Sequence, residues 1–214
     1  LDCGIAFDGD ADRCLAVDEN GNEVDGDFII AMCALDLKER GLLKNNTAVG
    51  TVLTNMGFTK FCEKNNINFE ATKVGDRYVL EEMKRSGCNI GGENSGHIIF
   101  LDYASTGDGQ LSALQILGIM KRSGRTLSQL ASCMEVYPQI LVNIKTTNEV
   151  RNTYAESKDV ADAIADVEKK LGTNGRVLVR ASGTEPLVRV MLEGKDIGEI
   201  TELAEYIADK IRNL

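Results

Sequence analysis

An apolar run, Ile5-Ala6-Phe7, stops at three alternating aspartates, Asp8, Asp10 and Asp12, followed by Arg13. Three carboxylates this close repel one another unless they share a cation. In an extended turn alternate residues point to one side, so the three side chains are expected to converge, with Gly9 and Ala11 too small to obstruct them. Hard oxygen donors suit Mg²⁺, Mn²⁺ or Ca²⁺. An EF-hand is a poorer description, because that calcium loop wants glycine at its sixth position behind an entering helix, and here Arg13 holds that position behind a strand. A plain acidic turn facing water is the simplest alternative. The arginine beside the acids favours a phosphoryl ligand, whose oxygens need charge neutralised from several sides at once.

Two further loops combine glycine with polar groups at strand ends. The first is Gly91-Gly92-Glu93-Asn94-Ser95-Gly96-His97. Ligands bind at the carboxyl ends of strands in open α/β sheets, and Glu93, Asn94 and Ser95 offer acceptors and donors to sugar hydroxyls. His97, the chain's one histidine, adds an imidazole. The alternative is a polar turn whose histidine simply starts the next strand. The second loop is Arg180-Ala181-Ser182-Gly183-Thr184-Glu185-Pro186, with Arg189 just beyond. Arg180, Ser182, Gly183, Thr184 and Arg189 make a candidate phosphate cradle of guanidinium groups, hydroxyls and exposed backbone N–H groups. Its alternative is a hairpin loop with charges in water. A third stretch, Val74-Gly75-Asp76-Arg77-Tyr78-Val79, reads equally as a helix start capped by Asp76.

The elements that must carry these loops alternate along most of the chain. After the aspartate turn, residues 15–18 read as a returning strand and 28–40 as a helix stopped by Gly41. Strands over 48–53 and 69–74, helices over 58–65 and 76–86, and a strand over 88–92 follow, which implies an α/β domain with a largely parallel sheet. A strand over 97–101 and a helix over 108–123 come next. The wide apolar stripe of that helix predicts a well-buried element. A short helix over 127–134 ends at Val136-Tyr137-Pro138, where a proline and a change of pattern mark a domain boundary. Beyond it, strand 140–145, helix 160–171, strands 176–180 and 187–193, and helix 197–211 give a βαββα module of the α+β class.

With 33 acidic against 24 basic residues the net charge is −9, which disfavours nucleic acid as a partner. No apolar run reaches the roughly 20 residues of a membrane helix, so no membrane partner is expected. The six cysteines form no CxxC pair and mostly sit in apolar segments, which predicts reduced core thiols and a cytoplasmic protein. Leu1 is not an initiator methionine, so the natural start is expected upstream.

Together these motifs resemble the α-D-phosphohexomutase superfamily, most closely its bacterial phosphoglucosamine mutase branch. Asp8-Gly9-Asp10-Ala11-Asp12-Arg13 matches the metal loop, Gly92-Glu93-Asn94-Ser95-Gly96-His97 the sugar loop, and Arg180-Ala181-Ser182-Gly183-Thr184-Glu185-Pro186 the phosphate loop. Gly75-Asp76-Arg77-Tyr78-Val79 and Thr106-Gly107-Asp108-Gly109 carry the likeness to that branch. Asn94 departs from the glutamine expected there and Ala11 from the commoner glycine.

The resemblance implies a four-domain enzyme of which residues 1–25 are the tail of domain two, 26–136 domain three and 137–214 domain four. The family's phosphoserine loop, of Thr/Ser-Ala-Ser-His-Asn type, does not occur in this sequence. The expected reaction of the parent enzyme is interconversion of glucosamine 6-phosphate and glucosamine 1-phosphate through a bisphosphate, with the 214 residues alone inactive. By the same resemblance Asp8, Asp10 and Asp12 hold Mg²⁺, Arg13 steadies the phosphoryl group, and His97 serves proton transfer or positioning. Glu93, Asn94 and Ser95 bind the sugar, while Arg180, Ser182, Gly183, Thr184 and Arg189 bind a phosphate. The partners implied are a phosphosugar, the amino-terminal half of the same enzyme and a second copy in a homodimer. The rivals are a non-catalytic module binding divalent metal and phosphosugar, and a phosphomannomutase or phosphoglucomutase.

Overall fold

A computed structural model describes residues 1–183 and 185–214. The chain divides into two compact units, Leu1–Val136 and Tyr137–Leu214.

The first unit opens with an antiparallel meander of β1 (Cys3–Phe7), β2 (Cys14–Asp18) and β3 (Glu23–Val24). Helix α1 (Gly26–Glu39) follows, its first turn capped by the Asp25 carboxylate, which accepts from the Phe28 N–H. Almost every residue from Gly26 to Ala34 is buried, because the helix packs on several elements at once. Its start sits directly on the sugar loop: a Cβ on Gly26 would lie 2.0 Å from the Glu93 carbonyl oxygen, so only glycine permits the approach. Strand β4 (Thr47–Thr51), helix α2 (Met56–Lys64), β5 (Asn68–Thr72), helix α3 (Asp76–Ser86), β6 (Ile90–Gly92) and β7 (Ile98–Phe100) then build a sheet in the order β5-β4-β6-β7. The β4–β5 and β4–β6 pairs are parallel, joined through α2 and α3, and β7 runs antiparallel to β6. This is the mixed, largely parallel α/β sheet that the alternating pattern implied.

Helix α4 (Gly109–Ser123), with Asp108 as its cap, and the short α5 (Leu127–Ala131) complete the unit. The expectation of a well-buried α4 needs correction. Ile116 and Ile119 enter the core, but Leu114 and Leu117 are 66% and 41% exposed. The stripe is wider than the surface this unit offers it, and periodicity reports a stripe without saying what covers it.

The second unit is an antiparallel sheet in the order β8-β10-β9, from β8 (Gln139–Lys145), β9 (Gly175–Ala181) and β10 (Leu187–Gly194). Between β8 and β9 lie a short α6 (Asn148–Thr153), capped by Thr147 and not foreseen from the sequence, and α7 (Lys158–Leu171); α8 (Ile197–Arg212) follows β10. Alternation on β10 sends Val188, Val190 and Leu192 into a core with Val160, Val167, Ile200 and Ile207 of α7 and α8. The opposite face carries Arg189, Met191 and Glu193. Glu193 is fully buried and pairs with Arg176 on β9, so its charge is compensated.

Candidate functional site

The aspartates do converge, but not by strand alternation. Between β1 and β2 the chain turns, with the Ala11 N–H donating to the Asp8 carbonyl at 3.2 Å and Ala11 itself at φ +60°. That left-handed residue swings Asp12 back toward Asp8 and Asp10, and one carboxylate oxygen from each lies within 4.8 Å of the others. Arg13 closes the loop: its N–H donates to Asp8 Oδ1 at 3.3 Å, and its Nε stands 3.6 Å from Asp8 Oδ2 and 3.8 Å from Asp12 Oδ1. The Arg13 side chain is half exposed, so the guanidinium also reaches solvent.

The donor set fits a hard divalent ion. Three carboxylates of this spacing match its preference for oxygen, and Asp12 Oδ1 is a buried atom with no hydrogen-bond partner among the described residues. Arg13 Nε, 3.8 Å away, is too far to hydrogen-bond this buried anionic oxygen, and a divalent ion would compensate it more fully.

The sugar loop is stitched to the metal loop. The Cys14 N–H donates to the Gly96 carbonyl at 3.0 Å, and Arg13 and His97 form a single antiparallel bridge. Gly96 has φ +91°, and a Cβ there would come 2.3 Å from the Cys14 carbonyl oxygen, so the two loops meet backbone to backbone. Burial of Cys14 at this junction raises its thiol pKa to about 11 and keeps it an unreactive core group. Within the sugar loop the Glu93 N–H donates to the His97 carbonyl and the Gly96 N–H to the Glu93 carbonyl, both at 3.0 Å. Glu93 is half buried, and its Oε1 accepts from the Gly75 N–H at 2.9 Å. Gly75, at φ +131°, starts α3, so the third stretch noted in the sequence lies beside the sugar loop. Asn94 is exposed and Ser95 half buried.

His97 is 5% exposed, with both ring nitrogens engaged: Nδ1 lies 3.1 Å from Asp12 Oδ2, and the Gly107 N–H donates to Nε2 at 3.1 Å. Gly109 touches the metal loop as well, donating its N–H to the Ala11 carbonyl at 3.0 Å. Sequence reasoning quoted Thr106-Gly107-Asp108-Gly109 as a family signature and gave it no place at the site. Two glycines one residue apart before a helix were the available signal.

In the second unit, Arg180 on β9 and Arg189 on β10 are direct cross-strand partners. Desolvation first, and the charge of Arg189 second, hold the Arg180 guanidinium below its ordinary pKa. Arg189 Nη2 is 3.4 Å from the Glu185 carboxylate, while its Nε is buried without a hydrogen-bond partner among the described residues. Ser182 is buried; its N–H donates to the Leu187 carbonyl and its Oγ accepts from the Glu185 N–H at 3.3 Å, which holds the bend. Gly183 is exposed, and Thr184 lies outside the described residues. Two cations facing each other across β9 and β10 have the chemistry to receive an anion.

Residues 25–137, more than half of the 214-residue chain, match the phosphoglucomutase/phosphomannomutase α/β/α domain III, and residues 141–210 match the C-terminal domain of the same proteins. Phosphoglucosamine mutase of Thermoanaerobacter sp. (strain X514) is 56% identical over 210 residues, which cover 98% of this chain and 47% of that protein. Phosphoglucosamine mutase of Clostridium perfringens (strain SM101 / Type A) is 56% identical over 208 residues, 97% of this chain and 46% of its own length. The chain thus spans about half the length of the curated relatives it matches. Among solved structures, Aspergillus fumigatus N-acetylphosphoglucosamine mutase superposes with a TM-score of 0.82 at 23% identity, over 98% of this chain and 48% of that one. The same fungal enzyme in complex with GlcNAc-6P and magnesium gives 0.79 at 23% identity, over 98% and 48%. The chain belongs to the phosphoglucomutase/phosphomannomutase family of phosphohexomutases, to whose third and C-terminal domains it corresponds.

Proposed function

We propose that the longer protein to which this chain corresponds is a phosphoglucosamine mutase, interconverting glucosamine 6-phosphate and glucosamine 1-phosphate by way of a phosphoserine and a bisphosphate. Residues 1–25 would then end domain two, 26–136 form domain three and 137–214 form domain four. The observation that carries the reading is the backbone junction of the metal loop with the sugar loop at Cys14 and Gly96, which sets a cluster of carboxylates beside groups suited to a sugar. Identity of 56% to phosphoglucosamine mutases supports the choice of substrate.

In this reading Asp8, Asp10 and Asp12 hold Mg²⁺. When bound, the ion supplies positive charge against the oxygens of a phosphoryl group. Arg13, half exposed above the loop, steadies that group from the protein side. Glu93, with Oε1 fixed by the Gly75 N–H, keeps Oε2 for a hydroxyl or ammonium group of the sugar, and Asn94 and Ser95 add neutral partners. Arg180, Ser182, Gly183, Thr184 and Arg189 take a phosphate. The test is competition in the full-length enzyme. Glucosamine 1-phosphate should be far the better substrate, because sugar-loop groups left unpaired by a wrong sugar penalise its transition state. Equal kcat/KM for mannose 1-phosphate would overturn the phosphoglucosamine assignment.

A further inference from the structure

The carboxylate of the sugar loop is held from outside that loop. Glu93 Oε1 accepts from the Gly75 N–H at 2.9 Å, and Oε2 has no hydrogen bond or ion pair among the described residues. Strand β5 leads toward Gly75 and β6 into Glu93, and both run parallel to β4 between them, so the two residues share the carboxyl edge of the sheet, where ligands of such sheets bind. Gly75 has φ +131°, a conformation that L side chains rarely adopt, and a Cβ there would come 3.3 Å from the Tyr78 ring, so this turn needs its glycine. Asp76 follows directly and is exposed, its Cα about 3.8 Å from that of the residue that grips Glu93. Asp76 Oδ1 accepts from the Arg77 N–H at 2.7 Å, and Oδ2 has no partner among the described residues. The adjacent cation is committed elsewhere: Arg77 Nε donates to Glu81 at 2.8 Å, one turn along α3.

Glu93 and Asp76 thus flank one backbone N–H, each with one oxygen tied to the backbone and one left over, and neither is neutralised by a cation among the described residues. Carboxylates beside a site for a phosphorylated sugar repel its phosphate, and that repulsion is offset only where the ligand brings a positive charge of its own. A sugar phosphate with an amine brings one, and the corresponding sugar phosphate with a hydroxyl does not. We propose that Asp76 is a specificity-determining residue that takes the ammonium group of an amino-sugar phosphate, leaving Glu93 Oε2 for a hydroxyl of the same ring. The inference rests on the reading that the sugar loop receives glucosamine phosphate, and it names the side chain that tells this sugar from glucose. Because the ammonium and the hydroxyl differ by a full charge, an exposed acid discriminates between them even without a closed pocket.

The experiment measures kcat/KM of the full-length enzyme for glucosamine 1-phosphate and for glucose 1-phosphate at about pH 7, where the amine carries its proton. Asp76→Asn keeps an oxygen to accept from the Arg77 N–H and removes the charge. It should lower the ratio of the two values about 10-fold, the loss of one charge-assisted hydrogen bond at an exposed group. Asp76→Glu keeps the charge on a longer side chain and should hold more of the preference than Asp76→Asn. The Asp76 side chain bonds only to the next residue among the described ones, so neither change threatens the fold. An unchanged ratio in Asp76→Asn, or an equal loss for both sugars, overturns the role of Asp76 and leaves the glucosamine reading standing, because the wild type still prefers the amino sugar. A wild type without that preference overturns the glucosamine reading, and the role of Asp76 with it.

Discussion

Arg180 and Arg189 stand directly opposite each other across β9 and β10, two guanidinium groups on one face of an antiparallel pair. Like charges so placed destabilise a sheet, and the lowered pKa of Arg180 has this repulsion among its causes. Arg189 has Glu185 as a partner, so Arg180 is the informative residue to neutralise. Arg180→Gln should leave the melting temperature of the free chain unchanged or slightly raised, and should abolish the rise that glucosamine 1-phosphate gives the wild type. Scanning calorimetry with and without the sugar phosphate decides. A large loss of stability in the free variant would mean the arginine is structural.

Asp10 is exposed at the tip of the metal loop, so replacing it leaves the core alone. In the full-length enzyme Asp10→Asn should keep the fold and lose transition-state stabilisation of about 3 kcal/mol, roughly two orders of magnitude in kcat. Chelation of divalent metal from the wild type should mimic the variant. Wild-type turnover in a folded Asp10→Asn protein would remove Asp10 from the site.

Ala11 occupies the left-handed region at φ +60°, where a side chain costs about 1 to 2 kcal/mol. Glycine removes that strain but makes the unfolded chain freer, by about 0.4 to 1 kcal/mol. The first effect is on average the larger, so Ala11→Gly should stabilise the chain by up to about 1.6 kcal/mol in urea unfolding. A destabilised variant would show that the methyl group packs usefully.

These cases also show where the sequence stops being legible. Three alternating acids announce a cation site, because their chemistry is local. The way they converge is not local: it needs a turn through Ala11 and a glycine, Gly109, almost a hundred residues on. His97 read either as a loop residue for substrate or as a histidine that simply starts the next strand. Its contact with Asp12 spans 85 positions, and only the folded chain shows both ring nitrogens engaged. Strand and helix order came through periodicity, including α3 to the residue, since Gly87 stops it in the left-handed conformation. What escaped were short capped pieces such as α6, and the exposure of Leu114 and Leu117 on α4, which no pattern internal to a helix can reveal.

The last prediction concerns pH. Glu19, in the turn after β2, accepts from the Ser128 N–H at 3.2 Å and from the Ser128 hydroxyl, so it ties the meander to the first turn of α5. The Ser128 hydroxyl first, then that of Thr126, lowers its carboxyl pKa from 4.5 to about 2. A carboxyl with a depressed folded-state pKa contributes stability above its unfolded pKa and loses it as pH falls toward the folded one. Wild type should therefore melt higher than Glu19→Gln by a constant margin at and above about pH 6, where the unfolded carboxyl is also ionised. Below the ordinary value of 4.5 the margin should shrink steadily, with little left at pH 2, where the folded carboxyl is half protonated, and it should vanish only below that, where both states are protonated. The glutamine variant is the right comparison because it keeps an acceptor oxygen and removes only the charge. Two parallel melting curves from pH 6 down to 2, with no convergence, would show that the charge of Glu19 contributes nothing to this contact.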